Sequence, residues 1–170
     1  NDKRYQAVIR FGLTTDSYDR NGAVTSSTPE FDIAGTQLEQ ALGNFRGPLL
    51  QTPPPVSAKK VGGVPAYKLA RKNITVELKA VEIHIYSLTL IGFDGICARI
   101  QLHCSAGTYV RSIAHELGQA LGCGAIVDSL RRTSSGDFTE DQAFTIDALK
   151  EFAEAQRLDD ALVPAAPLLP

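Results

Sequence analysis

Three stretches combine residue types and spacing that suit chemistry. The first is Cys104-Ser105-Ala106-Gly107-Thr108-Tyr109-Val110-Arg111. A strand ends there, a glycine turns the chain, and Thr108 is expected to cap the helix that follows. Arg111 then falls in the first helical turn, where the helix dipole is positive and disfavours a cation. Spacing alone leaves two readings open: an acidic partner for Arg111, or a surface arginine that tolerates a small local penalty. The second stretch is Arg131-Arg132, directly after an apolar strand; on charge alone it reads as a solvated strand end. The third is the densest basic region, Lys59-Lys60 followed by Lys68, Arg71 and Lys72, with Gly62-Gly63 and Tyr67 between them. Cations, an approachable glycine backbone and an aromatic face together suit RNA phosphates and stacked bases. Tyr5, in the first strand, reads by default as a core or sheet-face aromatic.

Other chemistries find no motif. There is no phosphate-binding Walker loop, no GxGxxG before a helix, no His-Glu-x-x-His and no GxSxG. His84 and His103 fall in expected strands and His115 in an expected helix, scattered positions that read as structural or solvated. Cys97, Cys104 and Cys123 are odd in number and fit no zinc spacing. They read as reduced, mostly buried thiols of an intracellular protein. No apolar run has the length of a membrane helix and no signal peptide is visible. The net charge of −2 argues against a protein held on nucleic acid by bulk charge, but leaves room for local basic patches. At 170 residues, with 44% hydrophobic and 21% charged residues, the chain suits one domain with a real core, or one domain and a small appendage.

The elements that must position these residues can be read from the pattern. Tyr5–Gly12 is β-branched and aromatic, and predicts a strand. Residues 14–27 are polar, with Asp19-Arg20-Asn21-Gly22 as a turn. Thr36 is expected to cap a short helix reaching about Asn44. Pro53-Pro54-Pro55 forces extended chain, and Pro65–Lys72 reads as a short helix with proline at its start. Val81–Ile91 and Ile96–Cys104 alternate as strands joined by a Gly92–Gly95 hairpin loop, hence antiparallel. Thr108–Leu121 predicts the clearest helix, its apolar stripe formed by Val110, Ile113, Ala114, Leu117 and Leu121 and ended by Gly122. Ala125–Leu130 reads as a strand that continues from Arg131 to Phe138, and Thr145–Ala155 as an amphipathic helix. Leu162–Pro170 is expected to dock as extended chain. Strands and helices mix without a βαβ rhythm, which predicts an α+β fold with a mixed, largely antiparallel sheet flanked by helices.

Four segments, in order, resemble the TruB family of tRNA pseudouridine synthases, relatives of dyskerin. Lys3-Arg4-Tyr5 leads to Phe11-Gly12 and then to Thr15-Asp16-Ser17-Tyr18-Asp19-Arg20-Asn21-Gly22, like the family's K-x-Y strand and T-D-T-x-D-x-x-G loop. Gln51 through Gly63, with Tyr67 and Ala70-Arg71, resembles Q-x-P-P-x-Y-S-A-x-K-x-x-G-x-x-x-Y-x-x-A-R. Cys104 through Gly118 resembles C-S-K-G-T-Y-I-R-x-x-x-x-x-L-G. Leu121-Gly122-Cys123-Gly124-Ala125, then Leu130-Arg131-Arg132-Thr133 and Gly136, resembles L-G-x-x-A followed by L-R-R-T-x-x-G. Val56 stands where the family usually has Tyr, and Ala106 where Lys is usual.

The resemblance implies a cytoplasmic isomerase that converts uridine 55 in the T-arm of tRNA to pseudouridine. It implies no cofactor, no metal and no membrane, and a monomer. The target base must leave its stack to be reached. By position, Tyr5 corresponds to the tyrosine that stacks on the flipped base and is a candidate to remove the final proton. Arg111 corresponds to the arginine that pairs with the catalytic aspartate, and Leu130 to the apolar residue packed on the base pocket. Lys60 and Arg132 correspond to basic residues near the site, while Tyr67 and Arg71 build or flank the RNA surface. The family's nucleophilic aspartate is expected upstream of the Tyr5 strand and is absent from this chain; Asp16 and Asp19 belong to the later loop. The expected organisation is a partial catalytic domain over 1–155, lacking its first strands, and a C-terminal extension over 156–170 that begins a small C-terminal region. On this reading the isolated chain is inactive. The alternative is a non-catalytic tRNA-binding fragment or remnant; a small-molecule enzyme on an unrelated α+β fold has only composition in its favour.

Overall fold

A computed structural model describes residues 1–57, 60–61, 64–65 and 78–163. The chain divides into two compact units, Asn1–Asp137 and Phe138–Pro170.

The first unit is built on β1 (Lys3–Phe11), which runs through the middle of an antiparallel sheet. Its neighbours are β8 (Cys97–Cys104) and β9 (Ala125–Ser135). Beyond β8 come β7 (Val81–Phe93) and β4 (Gly47–Gln51), giving the order β9-β1-β8-β7-β4 within this unit. Alternation explains the burial. Ala7, Ile9 and Phe11 of β1 are buried, while Arg4, Gln6 and Arg10 on the alternate positions are exposed and Val8 is partly exposed. The same period places Ala98, Ile100, Leu102 and Cys104 of β8 in the core.

Two helices cover the buried face: α1 (Gly35–Gly43), which contributes Leu38 and Leu42, and α2 (Val110–Ala120), which contributes Val110, Ile113, Ala114 and Leu117. Burying a leucine such as Leu117, whose exposure is 0%, contributes about 1.5–3 kcal/mol. Gly118 lets α2 approach closely: a Cβ there would run into the backbone of Gly124 and Ala125 at the start of β9. Small hairpins complete the unit. One joins β2 (Leu13–Thr15) to β3 (Val24–Ser27), and the other joins β5 (Lys60–Val61) to β6 (Val64–Pro65).

The antiparallel expectation holds for every described ladder, and the one parallel contact is an isolated bridge between Asp19 and Val127. Local boundaries and caps differ from the sequence reading. Thr108 does not cap α2: its Oγ1 donates to the Ser105 carbonyl at 3.0 Å, and Tyr109 occupies the cap position with no side-chain cap bond. Thr36 does not cap α1 either, because the helix starts at Gly35, and the Gln37 side chain accepts from Ala34 N at 2.9 Å. Residues 14–27, read only as polar chain with a turn, contribute the β2–β3 hairpin. Pro65 lies in β6, not at the start of a helix; the remainder of that expected helix lies outside the described residues. The β7–β8 connection is centred on Asp94, whose Oδ1 accepts from the N–H groups of Ile96 at 2.9 Å and Cys97 at 2.6 Å. The expected continuation beyond Leu130 is present, since β9 runs through Ser135. Cys104 and Cys123 are buried free thiols, and Cys97 is partly exposed.

The second unit holds β10 (Phe138–Thr139), a 3₁₀ turn at Glu140–Gln142, α3 (Ile146–Glu154) and a second 3₁₀ turn at Leu158–Ala161. Thr145, the first residue of the expected helix, lies just before α3 and caps it: its Oγ1 accepts from Ala148 N at 3.1 Å. Phe144 meets Phe152 edge-on at 5.1 Å, which ties the α3 lead-in to the helix. Residues 164–170, most of the expected extended tail, lie outside the described residues. No described helix is long and apolar enough to cross a membrane.

Candidate active site

Tyr5 is half-buried on β1 and directly opposes Arg132 of β9. One step along the same face, Ala7 opposes Leu130. Directly opposed residues of an antiparallel pair project to the same side. Tyr5, Leu130 and Arg132 therefore extend the face on which Ala7, Ile9 and Phe11 are buried. A register shift between Arg4 and Tyr5 brings Arg132, rather than Thr133, opposite the tyrosine.

Burial pushes the Tyr5 phenol above its ordinary value, with a further push from nearby Cys104. The charge of Arg132 and its hydrogen bond to the phenol act in the opposite direction. Burial also raises Cys104 itself, so at neutral pH it is a thiol and Tyr5 a neutral phenol. Such a group can donate or accept one hydrogen bond and offers a flat face. Leu130 is 47% exposed despite being apolar. A cavity of about 380 Å³ reaches Leu130 from the opposite face of the sheet, where Gln6, Val8, Arg99, Gln101 and Arg131 line it, so it is separate from the Tyr5–Arg132 pair.

Arg111 is the second residue of α2, and its cationic end is paired. Its Nη1 donates to the Ser17 carbonyl at 3.0 Å and lies 3.4 Å from Asp19 Oδ2. Both side chains of the ion pair are mostly withdrawn from solvent, at 22% and 25% exposure. Asp19 is itself held: Oδ1 accepts from Ser17 Oγ at 2.8 Å and Asn21 N at 3.0 Å, and its carbonyl accepts from Thr15 Oγ1 at 2.7 Å. The sequence reading left open whether Arg111 has an acidic partner. It has one, and among the described residues that partner is Asp19 of the T-D-S-Y-D loop, a residue the sequence reading gave no role.

The loop is anchored to β9 by backbone bonds: Val127 N donates to Tyr18 O at 3.1 Å, and Arg20 N donates to Val127 O at 3.0 Å. Val127 opposes Ile9. Four residues of extended strand separate Ile9 from Tyr5, a span of about 13 Å. The loop that carries Asp19 is thus anchored on β9 about 13 Å along the strands from the level of Tyr5 and Arg132.

Sequence reasoning also missed Gln51. It is 2% exposed and makes a two-bond clamp on the α2 cap residue: Gln51 Nε2 donates to Tyr109 O at 3.1 Å, and Tyr109 N donates to Gln51 Oε1 at 2.7 Å. Ser112 Oγ adds a bond to the Thr52 carbonyl at 2.7 Å. The Q-T-P-P segment therefore fixes the helix start that carries Arg111. Its position in the motif was the available signal, but a glutamine in a motif does not disclose its partner. Of the remaining expected RNA-binding residues, Lys60 has its backbone in β5, and Tyr67 and Arg71 lie outside the described residues. No group of three or more potential metal ligands clusters among the described residues.

Comparison with known proteins shows the family of the chain. Residues 1–110 match the model of the TruB family pseudouridylate synthase N-terminal domain, and residues 111–169 match that of the tRNA pseudouridylate synthase B C-terminal domain. The tRNA pseudouridine synthase B of Solibacter usitatus (strain Ellin6076) is 56% identical over 169 residues, covering 99% of this chain and 58% of that protein. That of Francisella tularensis subsp. novicida (strain U112) is 43% identical over 158 residues, 92% of this chain and 52% of that protein. The chain therefore spans little more than half the length of these curated relatives. Among solved structures, a chain of a Cbf5–Nop10–Gar1 complex superposes with a TM-score of 0.68 at 23% identity, covering 96% of this chain and 41% of that one. A chain from an H/ACA RNP bound to a substrate RNA containing 2′-deoxyuridine gives a TM-score of 0.62 at 21% identity, covering 95% and 37%. These two likenesses show the fold; the two domain models place this chain in the TruB family of pseudouridylate synthases.

Proposed function

We propose that this chain carries the base-holding half of an active site that isomerises uridine to pseudouridine in the T-arm of tRNA, at position 55. The observation that carries the reading is the Arg111 guanidinium, fixed by Ser17 and Asp19 at the start of α2 and withdrawn from solvent. A cation held in this way costs little further reorganisation when a second carboxylate arrives beside it. The reaction breaks the bond from uracil N1 to ribose C1′ and forms one from C5 to C1′; the C5 proton is lost and N1 gains one. Atoms balance without oxidant, reductant or cofactor.

In this reading the nucleophilic aspartate comes from outside these 170 residues and pairs with Arg111. Tyr5 stacks on the flipped uracil, and its phenol relays the C5 proton: the oxygen accepts it as the O–H proton passes to solvent. Leu130 packs on the base, and Arg132 holds the phenol and faces the RNA backbone. Lys60, Tyr67 and Arg71 extend the RNA surface. The enzyme works as a cytoplasmic monomer.

A tRNA pseudouridylation assay on this chain and on a version extended upstream tests the proposal. The expected result is modification of the T-arm uridine by the extended chain alone. Activity of both would place the nucleophile among these 170 residues. Inactivity of both with retained tRNA binding would favour a non-catalytic tRNA-binding module.

A further inference from the structure

We infer that Tyr18 is a positioning residue for Arg111, acting through a stack on His115. The inference rests on the reading of Arg111 as an active-site residue. Tyr18 has a backbone φ of +64°, one of two positive values among the described non-glycine residues. That conformation is costly for a bulky side chain, so something must hold it. Its ring lies on the His115 imidazole with centroids 3.8 Å apart and planes 5° from parallel. His115 is four residues beyond Arg111 on α2, and so lies on the same helix face one turn along. Tyr18 is flanked by Ser17 and Asp19, the two residues that Arg111 contacts. A three-residue stretch thus grips one helix face at two points, by polar contacts at Arg111 and by ring contact at His115.

Ring contact is the grip at the second point, because His115 Nδ1 is buried with no hydrogen-bond partner among the described residues. Burial also lowers the imidazole's pKa, keeping it neutral, and raises those of the Tyr18 phenol and of Glu116 beside it. A neutral stack in a partly buried site adds no charge that would compete with Asp19 for the guanidinium. The left-handed turn at Tyr18 lets the ring face α2 while the Ser17 carbonyl and the Asp19 carboxylate both point at Arg111. Without the stack, the same loop would keep its anchors to Val127 but lose its second hold on the helix.

The test is made in the complete enzyme, with single-turnover rate and tRNA affinity measured separately. Tyr18→Gly removes the ring and relieves the backbone strain, so it tests the stack rather than the strain. It is expected to slow turnover by up to about 100-fold, the loss associated with a misplacement of about 1 Å, with tRNA affinity unchanged. Tyr18→Phe keeps the stacking face and is expected to restore turnover to within about 3-fold of the parent, because the ring contact does not use the hydroxyl. The Tyr18→Gly effect should vanish in an Arg111→Ala background, as non-additivity requires of residues acting through one another. Full turnover in Tyr18→Gly overturns the inference, as does a loss that only tracks the fraction of folded, tRNA-binding protein. If Arg111→Ala abolishes turnover and Tyr18→Gly does not, the stack alone is refuted. If Arg111→Ala is fully active, the reading of the site fails first.

Discussion

Tyr5 and Arg132 stand directly opposite each other on adjacent antiparallel strands, and a register shift in β1–β9 creates that pairing. The phenol is drawn into the sheet face by burial while the guanidinium beside it supplies a charge and a hydrogen bond. Both act to lower the phenol's pKa, against the burial that raises it.

Tyr5→Phe keeps the flat face and removes that oxygen. In the complete enzyme, single-turnover pseudouridine formation is expected to fall by about 10²–10⁴-fold, the range for loss of a positioned proton-transfer group. Affinity for tRNA should stay near that of the parent. Unchanged turnover would exclude the hydroxyl as the proton acceptor.

Arg111→Ala removes the cation and leaves Asp19 with Ser17 Oγ and Asn21 N as its remaining partners. Turnover is expected to drop by about 10²–10³-fold, as for removal of one preorganised electrostatic contact. A filter-binding measurement should show a much smaller change in tRNA affinity. Equal losses of binding and turnover would assign Arg111 to RNA binding instead.

Gln51→Ala deletes both bonds to Tyr109 and leaves a withdrawn N–H and carbonyl at the start of α2. The cost to folding stability is expected to be about 1–3 kcal/mol, the penalty for stranding buried polar groups. Urea unfolding would read it as a lower midpoint with an unchanged slope. Because α2 carries Arg111, turnover below the melting range should also decline.

The partly buried His115 predicts a pH dependence with a definite sign. Its folded pKa is depressed, so the unfolded chain binds the proton more readily. Its contribution is fully present above the unfolded histidine value of about 6.5 and is lost as pH falls through the lower folded value. Glu116 works oppositely, because burial raises its folded pKa and its contribution fades as pH rises through that value. Tyr18, Arg111 and Asp19 are the other titratable groups of this cluster. Comparing denaturation midpoints of the parent and of His115→Phe, which keeps a stacking ring, isolates the histidine. The parent should lose stability relative to the variant as pH is lowered below about 6.5; a constant difference would contradict the assignment.

Local sequence determined a good deal of this protein. The β-branched and aromatic residues from Tyr5 to Gly12 specified β1, and the period of two then puts Ala7, Ile9 and Phe11 on one face. The stripe of Ile113, Ala114 and Leu117 specified α2 in the same way. Ordered motif segments were legible too, and carried the family, since each depends on residue types at fixed spacing. What could not be read were the partners. Thr108 looked like a cap but bonds back to Ser105, while the helix start is held by Gln51, 58 residues away from Tyr109. Asp19 meets Arg111 across 92 residues, and Tyr18 meets His115 only because a left-handed turn aims it there. Pattern fixes which face of an element is buried, since that follows from local periodicity and the hydrophobic effect. The tertiary structure alone decides which side chains from distant segments meet on that face, because register, bulges and close packing set those contacts across the fold.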